Sequence, residues 1–272
     1  MTIPLVVGVD GSEASLEAAD WAADEAVRHD VPLHVLHAAG RDEEQVDVVG
    51  RTAERVRARA PSVRLSTEVL REDAAAALVD KGRDAFALVL GSRGLGDLAG
   101  MLLGSVSLAV AARAHCPVVV VRGGAAHRGA AAGDVVVGVE DEESSGTAVR
   151  FAFREAQARR CRLVAVHAWS VPVATPTPPG LSGYALQALE RPPAQVLADA
   201  LHDPGQRYPD VPVTREVVDG SARRALLKAS AEADLLVVGA RRRNGHIGLQ
   251  LGLVNHALLH HAPCPIVVVP QT

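Results

Sequence analysis

The chain of 272 residues is long enough for two domains of ordinary size, and with 48% hydrophobic and 22% charged residues it has the composition of a globular protein. A net charge of −4 and an aromatic content of 3% argue against the basic surface of a nucleic-acid-binding protein and the stacking platform of a single-strand binder. No apolar segment reaches the length of a membrane span, and the first residues do not resemble a signal peptide. The three cysteines lack CxxC spacing. We therefore expect a cytoplasmic protein.

The first half alternates apolar strands with helices. A β-branched run, Leu5–Val9, precedes a helix for which Ser12 or Ser15 is the predicted N-cap. A second buried strand ends at His37, and a third lies near Val63–Leu70. The remaining predicted elements are a helix over Asp73–Lys81, a strand that ends at Gly91, a helix that starts at Gly104 and a strand over Val118–Val121.

The second half repeats this order. Matching apolar runs near the start of each half place Gly138 130 residues after Gly8. Farther along, Gly239 lies 148 residues after its counterpart Gly91. The second copy therefore carries about 18 extra residues, which fall in the proline-rich stretch 170–212. Its predicted elements are a strand over Val135–Val139, a helix capped by Ser144 or Ser145, a strand that ends at His167, a strand over Val213–Val218, a helix over Ser221–Ala231 and a strand over Ile266–Val269.

Strands that alternate with helices predict a parallel sheet covered on both faces. We therefore predict an α/β protein of two tandem flavodoxin-like (Rossmann-like) domains, each with a five-stranded parallel sheet in the order 3-2-1-4-5. The predicted limits are 1–123 for the first domain, 124–133 for a Gly/Ala linker and 134–272 for the second domain. The apolar fifth strands predict that the halves pair through them as an intrachain pseudo-dimer, and the whole chain is a candidate homodimer.

A glycine loop in the first half has the pattern of a phosphate site. Gly91 is expected to take a sharp turn off its strand, and Gly94 leaves room for a phosphate beside the backbone. Gly104 and Ser105 then open a helix, whose N-terminal N–H groups and partial positive charge favour an anion. The alternative is that the glycines only make turns and that Ser105 only caps the helix.

Polar residues at the ends of the neighbouring strands add to this pattern. Asp10 ends the first strand, and its carboxylate could accept hydrogen bonds from a ribose or a base; equally, it could cap the following helix. His37 and His167 occupy the same position in the two halves, which favours a structural role for both. No cluster of metal-ligating residues is visible, and we predict no metal site formed by the protein alone.

The second half departs from the phosphate pattern. Arg242 and Leu253 stand where the first half has Gly94 and Ser105, and the acidic run 140–143 is predicted to lie close to the basic run 241–243. We therefore expect the second site to be filled by its own side chains, although arginine also binds phosphate and an Arg-based anion site stays open.

These residues resemble the universal stress protein family in a tandem two-domain form. The family's nucleotide-binding pattern, Gly-two-Gly-nine-Gly-Ser/Thr, is matched by Gly91, Gly94, Gly104 and Ser105, and Val7–Ser12 matches its first-strand pattern. The resemblance implies ATP, commonly with Mg²⁺, as the ligand. It implies that adenine and ribose contact Asp10 and Ala38, and that the phosphates contact Gly91, Gly94, Gly104, Ser105 and Val106.

The resemblance and the absence of an evident general base predict an ATP-binding stress-response regulator with an unknown protein partner, rather than an enzyme. The alternative is a slow ATPase or nucleotidyl-transfer enzyme, for which Asp97 is the acidic residue of the loop. A nucleotide-free scaffold is a third possibility, and the intact glycine pattern argues against it.

Overall fold

A computed structural model describes residues 3–38, 47–94, 103–122, 133–170, 191–241 and 251–271. The predicted linker lies outside these residues except for Gly133, and the domain limits stay a prediction. The strands of the described part are β1 (Leu5–Gly8), β2 (Leu33–Ala38), β3 (Leu65–Leu70), β4 (Ala87–Gly91), β5 (Val118–Val121), β6 (Asp134–Gly138), β7 (Leu163–Trp169), β8 (Val213–Asp219), β9 (Ala233–Arg241) and β10 (Ile266–Gln271).

Helices cover both faces of the sheet, as predicted. The α-helices of the described part are α1 (Glu13–Arg28), α2 (Val48–Arg59), α3 (Ala74–Lys81), α4 (Ser105–Arg113), α5 (Glu142–Arg159), α6 (Pro193–Arg207), α7 (Ala222–Ala229) and α8 (Leu253–His261). Helices α1, α2, α5 and α6 pack on one face in a single apolar layer. Helices α3, α4, α7 and α8 pack on the other face in a second layer. Because each layer contains residues of both halves, the two halves share their cores.

The strand order is β3-β2-β1-β4-β5-β10-β9-β6-β7-β8. Strands within each half pair in parallel, which confirms the predicted order 3-2-1-4-5 for each half. The halves meet where β5 pairs antiparallel with β10, and Val119 lies opposite Val267 at the centre of that pairing. The prediction that the halves pair through their fifth strands is therefore confirmed, and the open edges expected for separate domains are closed within one sheet.

Helix caps differ between the halves. In the first half Ser12 is the N-cap of α1, as predicted, and its side chain accepts from the N–H of Ser15. In the second half the predicted caps Ser144 and Ser145 are wrong, because Asp141 is the N-cap and accepts from the N–H of Ser144 at 2.7 Å. Both residue types satisfy the free N–H groups of a first turn, and the sequence pattern alone does not choose between neighbouring candidates.

Gly91 is the last residue of β4 and not the sharp turn that we expected. A Cβ at this position would lie 2.6 Å from the carbonyl oxygen of Ala14 and 2.9 Å from the amide nitrogen of Ser15, both in the backbone of α1. The glycine is therefore needed so that helix α1 can pass directly over the end of β4.

Replacing Gly91 with alanine should lower the free energy of unfolding by about 1–3 kcal/mol, because backbone atoms cannot move aside as a flexible side chain does. Urea denaturation would measure this loss. The matched control is Gly205→Ala within α6, where an added Cβ meets nothing within 4 Å and should stabilise the helix slightly. Equal stability of the Gly91→Ala variant and the unaltered chain would contradict the packing described here.

Candidate functional site

The carboxyl edge of the first-half sheet brings together the two sequence features singled out above. Strands β1 and β4 are hydrogen-bonded neighbours, so Asp10 after β1 and the glycine loop after β4 emerge side by side. A Cβ on Gly94 would lie 2.6 Å from the Oδ2 atom of Asp10, which shows how closely the loop approaches the carboxylate. Larger side chains at position 94 would displace that carboxylate.

Asp10 lies in a tight turn before α1. Its Oδ1 atom accepts hydrogen bonds from the backbone N–H of Ser12 at 3.0 Å and from the Ser12 hydroxyl at 2.6 Å. Gly11 adopts a φ of 86°, a left-handed conformation that favours glycine. Since Ser12 caps the helix, the cap interpretation of Asp10 is wrong, and the carboxylate instead shapes the turn while its Oδ2 atom faces Gly94.

The ends of the glycine loop are tied together at its base. The N–H of Gly104 donates to the carbonyl of Ser92 at 2.8 Å, and the Ser107 hydroxyl donates to the carbonyl of Gly91 at 2.7 Å. Gly104 is the N-cap of α4, so the idea that Ser105 serves only as the cap is wrong. Ser105 begins the helix and is exposed. Asp97 lies outside the described residues.

Helix α4 starts at this edge without a side-chain cap among the described residues. Gly104 has a φ of −72° and a ψ of 150°, and it has no side chain that could accept from the first turn. Val106 is partly exposed beside Ser105. A helix start of this kind presents N–H groups and a partial positive charge to an anion.

Ala38 and His37 end the neighbouring strand. Ala38 is the last residue of β2, which pairs with β1, so it reaches the same sheet edge as Asp10. The Nδ1 atom of His37 lies 2.7 Å from the carbonyl oxygen of Val9, and His167 makes the equivalent contact with Val139 at 2.9 Å. The structural role predicted for the two histidines is confirmed, because each connects neighbouring strands.

Arg122 is a cation of this region that sequence reasoning missed. It follows β5 directly, and the N–H of Ser92 donates to the preceding residue, Val121, at 3.1 Å. Burial lowers the pKa of Arg122, and the positive charge of nearby Arg93 lowers it further. The guanidinium of Arg122 donates to the carbonyl of His260 in α8, so this cation ties the end of β5 to the second half. The sequence signal that could have indicated Arg122 is a charged residue immediately after a fully apolar strand. The equivalent residue of the second half is Pro270.

The second half holds an ion pair at the equivalent edge. Arg241 donates to Asp141 at 3.1 Å and lies 3.7 Å from Glu140, so the basic and acidic runs meet as predicted. Arg242 lies outside the described residues. Leu253 is 92% exposed at the start of α8, where the first half presents Ser105.

Gln271 fills a space in the second half that sequence reasoning missed. Its Oε1 atom accepts from the N–H of Thr147 in α5 at 3.1 Å, and a Cβ on Gly239 would lie 2.9 Å from its Nε2 atom. In the first half, the backbone of α1 itself contacts the equivalent Gly91. Gln271 thus separates α5 from the end of β9, and the two crevices differ in shape.

A cluster of charged residues joins the two halves on the α1 and α5 face, and we call it the inter-half cluster. It contains Glu25 and Arg28 of α1, the C-cap residue His29, and Arg154, Glu155 and Arg159 of α5. Arg159 donates to both carboxylate oxygens of Glu25 at 2.5 and 2.7 Å, while Nε2 of His29 lies 3.2 Å from Glu155. Glu25 and Glu155 are equivalent in the repeat, so the contacts cross between the halves in pseudo-symmetric fashion.

Burial and charge act in opposition on these carboxylates. Burial raises the pKa of Glu25, against the attraction of Arg159 and Arg28. Burial also raises the pKa of Glu155, but the hydrogen bond with His29 and the neighbouring positive charges outweigh it, so that this pKa lies below its usual value. Two carboxylates this close ionise unequally, which is the expected result of their repulsion.

The same cluster contains the set of potential metal ligands found among the described residues: Glu25, His29 and Glu155. Arginines already neutralise both carboxylates there, because Arg159 and Arg28 bind Glu25 and Arg159 lies 3.8 Å from Glu155. A cation would have to displace them. We therefore interpret the cluster as a structural contact between the halves.

No helix in the described parts of the chain is both long enough and apolar enough to cross a membrane.

Comparison with known proteins identifies the family. The sequence model of the Universal stress protein family matches residues 1–122 and 133–270. The universal stress protein Rv2623 of Mycobacterium tuberculosis is 33% identical over 295 aligned positions, which cover 100% of this chain and 97% of that protein.

A universal stress protein structure from Archaeoglobus fulgidus covers 100% of both chains with a TM-score of 0.65 at 16% identity, which supports the fold. A crystal structure of a universal stress protein in complex with cAMP is 30% identical over 44% of this chain and 96% of that chain, with a TM-score of 0.39. The chain therefore belongs to the universal stress protein family, in its tandem two-domain form.

Proposed function

We propose that the first half binds ATP and that the chain is a cytoplasmic stress-response regulator whose occupancy is sensed by a protein partner. The observation that carries the proposal is the closeness of Asp10 and the glycine loop, where a Cβ on Gly94 would lie 2.6 Å from the Oδ2 atom of the carboxylate. Asp10 and Ala38 would contact the ribose and adenine, and the phosphates would lie over Gly91, Gly94, Gly104, Ser105 and Val106.

The charge of the site supports a polyphosphate ligand. Arg93 precedes Gly94 in the loop, and the start of α4, which has no side-chain cap among the described residues, adds a partial positive charge. The phosphates thus meet backbone N–H groups and fixed positive charge on the same side of the sheet.

Magnesium fits the proposal as a companion of the nucleotide. Mg²⁺ is usually held by one or two carboxylates together with substrate phosphates and water. Asp10 supplies a carboxylate beside Gly94, which suits a metal held mainly by the phosphates. The protein alone would not bind Mg²⁺ tightly at this edge.

A regulatory role is the one that we propose for the bound nucleotide. Hydrolysis requires a group that positions or deprotonates water next to the terminal phosphate, and the sequence shows no evident general base in the loop. Slow ATP hydrolysis or nucleotidyl transfer is the alternative outcome, and homodimerisation of the whole chain stays a prediction.

Mass spectrometry of the nucleotide released from the natively purified chain tests the proposal. We expect ATP from the unaltered chain, about tenfold less from the Asp10→Ala variant, and an unchanged amount from Glu140→Ala, the equivalent change in the second half. Ser12 still caps α1 in the Asp10→Ala variant, so the fold should persist. Release of no nucleotide, of cAMP in place of ATP, or of ADP that accumulates during incubation with Mg²⁺ would contradict the proposal.

A further inference from the structure

A buried hydroxyl holds the first turn of α4 against the end of β4. Ser107 is 6% exposed, and its Oγ atom donates to the carbonyl of Gly91 at 2.7 Å. The N–H of Gly104 donates to Ser92, the next residue of the strand end, at 2.8 Å. These two bonds close the loop between Ser92 and Gly104 at its base and fix where the helix begins relative to the strand.

The second half has the same connection made by a different side chain. Asn255, 148 residues after Ser107, donates from Nδ2 to the carbonyl of Gly239 at 2.8 Å, and it is 9% exposed. The bond between helix and strand is therefore a feature of both halves. The two bonds are made by side chains of different length, a hydroxyl in the first half and an amide in the second.

We propose that Ser107 is a positioning residue for the nucleotide, an inference that rests on the proposed function of the first half. The short hydroxyl bond holds the start of α4 close to Gly91, so that Ser105, Val106 and the helix N-terminus face the glycine loop and Asp10. Ser107 is buried beneath the helix and would not contact the phosphates itself. Its effect on binding is transmitted through the position of the helix.

Removal of the hydroxyl has a definite physical consequence. In the Ser107→Ala variant the carbonyl of Gly91 loses this donor, and water or a shifted helix must supply a replacement. Either change moves the phosphate-facing N–H groups relative to Asp10. Ser107→Thr retains the hydroxyl and the bond, so it serves as the conservative rescue.

Fluorescence titration of the full chain with a labelled ATP analogue in Mg²⁺, together with thermal unfolding, tests the inference. We expect Ser107→Ala to weaken binding about fivefold or more, and Ser107→Thr to stay within about twofold of the unaltered chain. Asn255→Ala removes the equivalent bond from the second half, so its Tm should fall to a similar extent while its ATP affinity stays unchanged.

The outcomes separate the inference from the proposed function. Equal ATP affinity of Ser107→Ala and the unaltered chain would overturn the inference alone. An equal loss of affinity in Asn255→Ala would also overturn it, because the loss would then follow from general stability. If the unaltered chain does not bind ATP, both the proposed function and the inference are overturned.

Discussion

Replacement of Arg159 with alanine is expected to lower the free energy of unfolding by about 3–5 kcal/mol, a large fraction of the stability of an ordinary domain. Arg159 is 9% exposed and binds both oxygens of Glu25, which is buried between α1 and α5. Without the arginine, Glu25 keeps Arg28 as its cationic partner in α1 and loses its attraction to the second half. Chemical denaturation monitored by the fluorescence of Trp21, whose ring lies 5.8 Å from the guanidinium carbon of Arg159, would measure the loss.

Two further variants show whether the burial of the ion pair accounts for the loss of stability in Arg159→Ala. Arg59 makes a similar two-bond contact with Asp24, but both side chains are substantially exposed, so Arg59→Ala should cost less than about 1 kcal/mol. The double variant Glu25→Gln with Arg159→Met should recover part of the loss, because it removes the buried charge that would have lost its partner in the second half. Similar costs for Arg159→Ala and Arg59→Ala would show that the inter-half cluster contributes little to the pairing of the halves.

Gly104→Glu is expected to weaken ATP binding by about 100-fold or more. The new carboxylate would stand at the N-cap of α4, where it would occupy the helix N-terminus and repel the phosphates. The backbone at Gly104 has a negative φ, which residues other than glycine adopt. Equilibrium dialysis with ATP and Mg²⁺ would measure the affinity.

The second half supplies the matched control for this change. Gly252 is the N-cap of α8 with a similar backbone conformation, and an added Cβ there meets nothing within 4 Å. Gly252→Glu should therefore leave ATP affinity unchanged, since the equivalent edge of the second half already holds the ion pair of Arg241 with Asp141. Retention of tight binding in Gly104→Glu would show that the nucleotide lies elsewhere.

The arrangement of the sheet could be predicted because its signals are local or repeated. Each strand is a short apolar run that ends in a glycine or polar residue, and the order of elements recurs in both halves. The same regularity predicted that Asp10 and Gly94 meet, since the carboxyl ends of neighbouring parallel strands share an edge. The pairing of β5 with β10 followed from two apolar strands that would otherwise be edges.

Features that depend on distant packing could not be predicted. Glu25 and Arg159 are 134 residues apart in sequence, and nothing local to either residue indicates its partner. The role of Gly91 was misread for the same reason, because the backbone that requires it belongs to α1. The position of Gln271 between β9 and α5 depends on the spacing of a helix over the sheet, which the sequence around Gln271 does not indicate.

We propose that the two halves share one fold and that only the first holds a nucleotide. Isothermal titration calorimetry of the full chain with ATP and Mg²⁺, after removal of any nucleotide that co-purifies, counts the sites. We expect a stoichiometry of one ATP per chain, with Gly104→Glu eliminating the binding heat and Gly252→Glu leaving it intact. Two sites per chain, or one site that persists in Gly104→Glu and disappears in Gly252→Glu, would show that the first half is not the nucleotide-binding half.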